Sequence, residues 1–124
     1  MNYLIVFFGA GLGGALRHGA NELALRWFGT AYPVSTLAVN IVGSLAMGLL
    51  AGYFAFRGDA PQAWRLFLAT GVLGGFTTFS AFSLDVVALY ERGAPLQAAL
   101  YIALSVALSV AGLVLGLWIV RQGP

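Results

Sequence analysis

Gly71-Val72-Leu73-Gly74-Gly75-Phe76-Thr77-Thr78-Phe79-Ser80-Ala81-Phe82-Ser83 occupies the middle of a long apolar run and is poor material for a single helix. Adjacent glycines lose the most backbone entropy on helix formation, and the paired β-branched threonines lose side-chain freedom against the preceding turn. One outcome is a kinked but continuous helix whose threonine hydroxyls bond back to the turn before. The other, adopted here, is a helix broken near its middle. Unwound backbone at membrane depth is tolerated only where it is buried in protein or lines a cavity. Such a break exposes carbonyls that suit a cation and a half-helix N-terminus that suits an anion.

The surrounding chain sets the solvent. Of 124 residues, 60% are hydrophobic and 8% charged, against about 25% charged in soluble domains. So short a chain leaves roughly a third of its surface uncovered, so the apolar excess must face lipid. A soluble enzyme is excluded on this ground. The six basic residues are all arginines (Arg17, Arg26, Arg57, Arg65, Arg92, Arg121) and are scattered, leaving no stripe to track nucleic-acid phosphates. There is no cysteine, hence no disulfide or thiolate chemistry. The first apolar run has no basic segment before it and reads as a mature membrane span rather than a cleaved signal.

Spanning roughly 30 Å of hydrocarbon takes about 20 apolar helical residues. Four windows qualify, at about 2–28, 36–56, 64–90 and 95–120, joined by short glycine- and proline-punctuated links at 29–33, 57–61 and 91–94. The expected architecture is all-α and integral to the membrane: one four-helix domain over 1–124, with the third helix broken. With four spans both termini share a side. That side carries Arg57, Arg65 and Arg121, and the other carries Arg26 and Arg92, with Arg17 inside the first span. Arginine and lysine bias sets orientation, and here it is nearly absent. A small bias suffices for one orientation; alternatively, the chain inserts both ways and pairs antiparallel.

Within the spans, Asn40, Ser44, Gly48 and Gly52 recur every fourth residue on the second helix, and Tyr101, Ser105 and Ser109 do so on the fourth. Such ladders serve as interhelical glue, but two donor-bearing ladders together suggest a polar track. Phe79 and Phe82 share a face just beyond the break. Packing is the usual role of such a pair, although ring edges are electropositive and can meet an anion. Gly9-Ala10-Gly11-Leu12-Gly13-Gly14 fits a dinucleotide-binding pattern, yet no strand–helix–strand context or downstream acid accompanies it. Close helix packing explains it better, because Gly9/Gly13, Gly48/Gly52, Gly71/Gly75 and Gly112/Gly116 are all four apart.

Three motifs in order make the chain similar to the fluoride channel family known as Fluc or CrcB. They are Gly13-Gly14-Ala15-Leu16-Arg17, then Ser35-Thr36-Leu37-Ala38-Val39-Asn40-Ile41-Val42-Gly43-Ser44, then Gly74 through Ser83. Ser35, His18 and Ala81 depart from the residues usual in that family. The resemblance implies an antiparallel, dual-topology homodimer in the cell (inner or plasma) membrane that passively exports fluoride. It also implies a structural sodium ion (Na+) held by backbone carbonyls, here those of Gly74 and Thr77. Phe79, Phe82, Asn40, Thr78, Tyr101, Ser105 and Ser109 would line the anion pathway, with Arg17 near an aqueous vestibule.

The rival reading from another class is a small four-helix proton-coupled cation or drug antiporter, which needs a carboxylate embedded in the first span. Glu22 lies near that span's far end beside Arg26, and Asp85, late in the third span, reads as a pore-mouth or interfacial acid. Several arginines added between Arg57 and Arg65 are expected to fix one orientation and abolish fluoride efflux unless an oppositely biased copy is co-expressed. Full efflux from the biased chain alone would exclude the antiparallel pair.

Overall fold

The computed structural model describes residues 1–29, 32–57 and 60–122. Parts of the links expected at 29–33 and 57–61, including Asp59, lie outside them. Every regular element described is helical: α1 (Asn2–Phe28), α2 (Val34–Arg57), α3 (Gln62–Arg65), a π-helix (Leu66–Leu73), α4 (Gly74–Phe76), α5 (Phe79–Glu91) and α6 (Pro95–Gln122). The third span is therefore two rods, Gln62 through Phe76 and then α5. Gly29 (φ 74) ends α1 and Gly93 (φ 83) turns α5 into α6, positions that L side chains rarely adopt.

The break falls where the sequence placed it. Thr77 (φ −81, ψ 157) and Thr78 (φ −150, ψ 120) are both extended. Two features were not foreseen. The eight residues before α4 wind as a π-helix, a form that is rare and normally a single turn, and nothing in Leu-Phe-Leu-Ala-Thr-Gly-Val-Leu announces it. The second lies in the first span, which is less apolar than the other three. Val34–Phe56, Gln62–Glu91 and Pro95–Gln122 are long and apolar enough to cross a membrane. α1 has the length, at 27 residues, but Arg17, His18, Glu22 and Arg26 crowd its second half and lower its apolarity.

Two helix pairs build the bundle, and glycine makes both. α1 lies against the π-helix and α4, and α2 lies against α6. A Cβ on Gly9 would sit 2.6 Å from the Phe67 carbonyl oxygen and 2.9 Å from the Gly71 Cα. One on Gly13 or Gly75 would overlap the carbonyl oxygens of Val72 and Ala10. In the second pair, a Cβ on Gly48 would overlap the Leu113 carbonyl, and one on Gly116 would come within 2.5 Å of the Leu45 carbonyl. The glycine pairs therefore interlock across the two interfaces, and the apparent dinucleotide motif is a packing seam.

The interior is thin. Among the described residues the buried apolar side chains are Val39, Leu73, Leu89, Ala98 and Tyr101, while Phe7, Phe8, Leu84, Leu96 and Val110 are among many large apolar residues left exposed. Such a surface is stable only in lipid. Gly13→Ala and Gly48→Ala are each expected to lower stability by about 1–3 kcal/mol through overpacking. Gly11→Ala, where a Cβ meets open space, is expected to be neutral or to gain up to about 1 kcal/mol. Unfolding titrations in detergent measure this, and equal losses at all three positions would contradict the interlock.

Candidate functional site

A helix interrupted in hydrocarbon leaves peptide groups that water cannot satisfy, so the partners of the freed groups define the site. The Thr77 N–H and hydroxyl both donate to the Leu73 carbonyl, at 3.0 and 2.9 Å, closing the first rod. Asn40 on α2 then splints the gap: its Nδ2 donates to the Thr78 carbonyl at 3.0 Å, and its Oδ1 accepts from the Thr78 N–H at 2.9 Å. The Thr78 hydroxyl caps α5 by accepting from the Ala81 N–H at 3.1 Å, as an N-cap threonine does. Gly43, one turn beyond Asn40, has no side chain, which lets the Thr77 methyl seat against α2.

An open groove of about 370 Å³ runs past the break, between α2, the break itself, the start of α5, and α6. Its lining brings together Asn40, Thr78, Phe79, Phe82, Ser105 and Ser109, all expected from the sequence. The phenylalanine rings lie 5.6 Å apart, and Phe82 continues to Tyr101 at 5.2 Å. Phe79 is 78% exposed on the single chain, so it stands at the groove's open side. Ser105 is 6% exposed, and its buried Oγ has no hydrogen-bond partner among the described residues. A buried hydroxyl normally finds a partner, so this one is available to a ligand in the groove. One Asn40 amide hydrogen is likewise left over after the Thr78 carbonyl is served.

Tyr101 adjoins the groove without lining it. It packs with Leu89 and Ala98, against Leu37, Phe82 and Val86, and its hydroxyl donates to Asp85 Oδ2 at 3.0 Å. A phenol has one hydrogen to give, so in this arrangement it goes to the carboxylate rather than into the groove. Arg17 lies on α1, away from the groove, with its buried Nε unpartnered among the described residues. Glu22 pairs with His18 at 3.3 Å, its side chain 69% exposed on the single chain.

Among the described residues no group of three His, Cys, Asp or Glu side chains converges on a possible metal site. None of the hydrogen bonds described ends on the carbonyls of Gly74 or Thr77. Gly74 is exposed, and a Cβ there would meet only the Ala69 carbonyl, at 3.8 Å. These hard neutral oxygens suit a hard cation. Sequence reasoning missed the apolar wall of the groove (Met47, Val106, Val110 and Leu113), because apolar residues in an apolar helix carry no signal. The helical period of α2 does place Met47 on the Asn40 face.

Chemically, the groove is a charge-free channel wall of hydroxyls, one amide and ring edges. It has no nucleophile–base pair and is suited to weak contact with a small anion.

The family model described as CrcB-like protein, Camphor Resistance (CrcB), matches residues 4–117. A fluoride-specific ion channel FluC from Methylobacterium nodulans is 61% identical over 122 residues, covering 98% of each chain. FluC 2 from Nitrobacter hamburgensis is 60% identical over 122 residues, again 98% of each chain, and FluC from Rhodopseudomonas palustris is 59% identical over 121 residues, 98% of each chain.

Asn40→Leu keeps the volume but unpairs both Thr78 groups, each at a cost of about 1–3 kcal/mol. Thr78→Val removes the cap at about 1 kcal/mol. Thermal unfolding in detergent should rank wild type above Thr78→Val above Asn40→Leu, and wild-type stability of Asn40→Leu would mean that something else holds the break.

Proposed function

The chain belongs to the CrcB family, and from that membership together with the groove at the helix break we propose that it is a multi-pass membrane channel that lets fluoride leave the cytoplasm passively. It is a conduit rather than an enzyme. The observation that carries this reading is the union, in one uncharged groove, of the Phe79–Phe82 ring pair and the buried, unpartnered Ser105 hydroxyl.

Fluoride is small and strongly hydrated, and an unpaired ion in a low-dielectric interior costs tens of kcal/mol by idealised estimates. A pore must therefore replace water donors with its own. Here the spare Asn40 amide hydrogen, the Ser105 and Ser109 hydroxyls and the edges of Phe79 and Phe82 take that role, each weakly. Weak, multiple sites are what conduction needs, since a full positive charge in the narrow part would hold the anion.

All four spans cross the inner (plasma) membrane in this reading, α1 accompanying the third span through its glycine seam. Two copies pair antiparallel, which the nearly balanced arginines permit. The exposure of Phe79 and Gly74 on the single chain supports a partner surface at the break. The Gly74 and Thr77 carbonyls would hold sodium there, and a bound cation would supply positive charge that ties the two breaks together.

The test is a fluoride-electrode efflux assay on purified protein in liposomes, run beside chloride, with fluoride released and chloride retained. Phe82→Ile keeps the apolar volume but removes the ring edge. It should abolish fluoride efflux while leaving the assembled protein intact by size-exclusion chromatography, and normal efflux would refute the aromatic role.

A further inference from the structure

A second groove, of about 520 Å³, adjoins the one at the break; Phe54, Gln62, Arg65 and Thr70 are among its lining residues. Met47 belongs to the walls of both. The connection follows helical geometry: Asn40, Ser44, Met47, Ala51 and Phe54 advance by four, three, four and three residues and so occupy one face of α2. That face covers about 21 Å of helix axis at 1.5 Å per residue. At its end the Arg65 guanidinium lies over the Phe54 ring, 5.2 Å from the centroid. The hydroxyl of Thr70 and the amide of Gln62 add hydrogen-bond donors on the facing rod.

We propose that this second groove is the far mouth of the anion pathway, and that Arg65, held on Phe54 with Gln62 and Thr70 beside it, is the cation that gathers fluoride there. The proposal rests on the fluoride-channel reading. A fixed charge at a mouth raises the local concentration of the opposite ion and its entry rate. Stacking on an aromatic face holds the side chain in place while its head stays exposed. The distance along α2 keeps the charge out of the narrow stretch, where it would slow release.

Arg121 provides the control. It also lies over a ring of α2, Phe56, at 5.5 Å. Phe56 is two residues from Phe54 and so points to another face of the helix, and neither Phe56 nor Arg121 lines the groove. Removing either arginine changes net charge equally, and both positions are exposed, so both variants should fold.

The test uses the full chain in vesicles of uncharged lipid, with ionic strength set by an impermeant salt. Arg65→Gln should slow initial fluoride efflux about 10-fold near 0.01 M, where the Debye length is about 30 Å, and less than about 2-fold near 1 M, where it is about 3 Å. Arg65→Lys should stay near wild type, and Arg121→Gln within about 2-fold throughout. An Arg65→Gln rate equal to wild type at low salt would overturn the mouth, as would a loss that persists at 1 M or an equal loss in Arg121→Gln. Absence of fluoride efflux from the wild type would instead overturn the channel reading itself.

Discussion

Everything at the centre of this protein follows from one cost: a peptide group freed from a helix in hydrocarbon has no water to bond. Gly74-Gly75 and Thr77-Thr78 make the helix easy to open, but they do not make the opening stable. Stability comes from across the bundle, where a single carboxamide on α2 offers a donor and an acceptor at the spacing of the Thr78 peptide. A primary carboxamide presents that pair without charge. Approach close enough for those bonds requires the Thr77 methyl to rest on Gly43, so the asparagine and the glycine are two parts of one device.

That device divides the freed groups between two sides. The first rod ends with the Leu73 carbonyl accepting from both the Thr77 N–H and the Thr77 hydroxyl. The second rod begins with a threonine cap and the positive end of a helix dipole beside the groove. A chain with 8% charged residues thereby gains local polarity without burying an ion.

Legibility in the sequence tracked how far each feature depends on local chemistry. The break was readable because glycine and β-branched threonine act on their own backbone. The glycine seams were readable because a four-residue spacing puts small residues on one face whatever lies opposite. The ladders Asn40–Ser44 and Ser105–Ser109 were placed on the correct faces for the same reason. The π-helix was not readable, since nothing in the composition of Leu66–Leu73 distinguishes it from an ordinary apolar α-helix, and Gly71 within it gave only a packing signal. Nor was the donation from Tyr101 to Asp85: an acid 16 positions away in the chain gives no periodic sign of its partner.

The bond from Tyr101 to Asp85 bears on how an anion would be handled. A carboxylate beside an anion pathway repels the ion, yet this one is engaged by the phenol that would otherwise be a donor. The phenol beside the groove is thus spent on Asp85, and the neutral donors that line the groove include the hydroxyls of Ser44, Ser105 and Ser109, one Asn40 amide hydrogen and ring edges. Each is weak, and none can hold a small anion for long. The arginine at the proposed mouth follows the same logic from the other direction: Arg65 lies over Phe54 toward the end of α2, where charge can attract without binding in the narrow stretch. On the proposed reading, selection among ions falls to how well a string of weak donors replaces a tight hydration shell, and the two Asn40 bonds that brace the break, rather than any single strong contact, set where those donors stand.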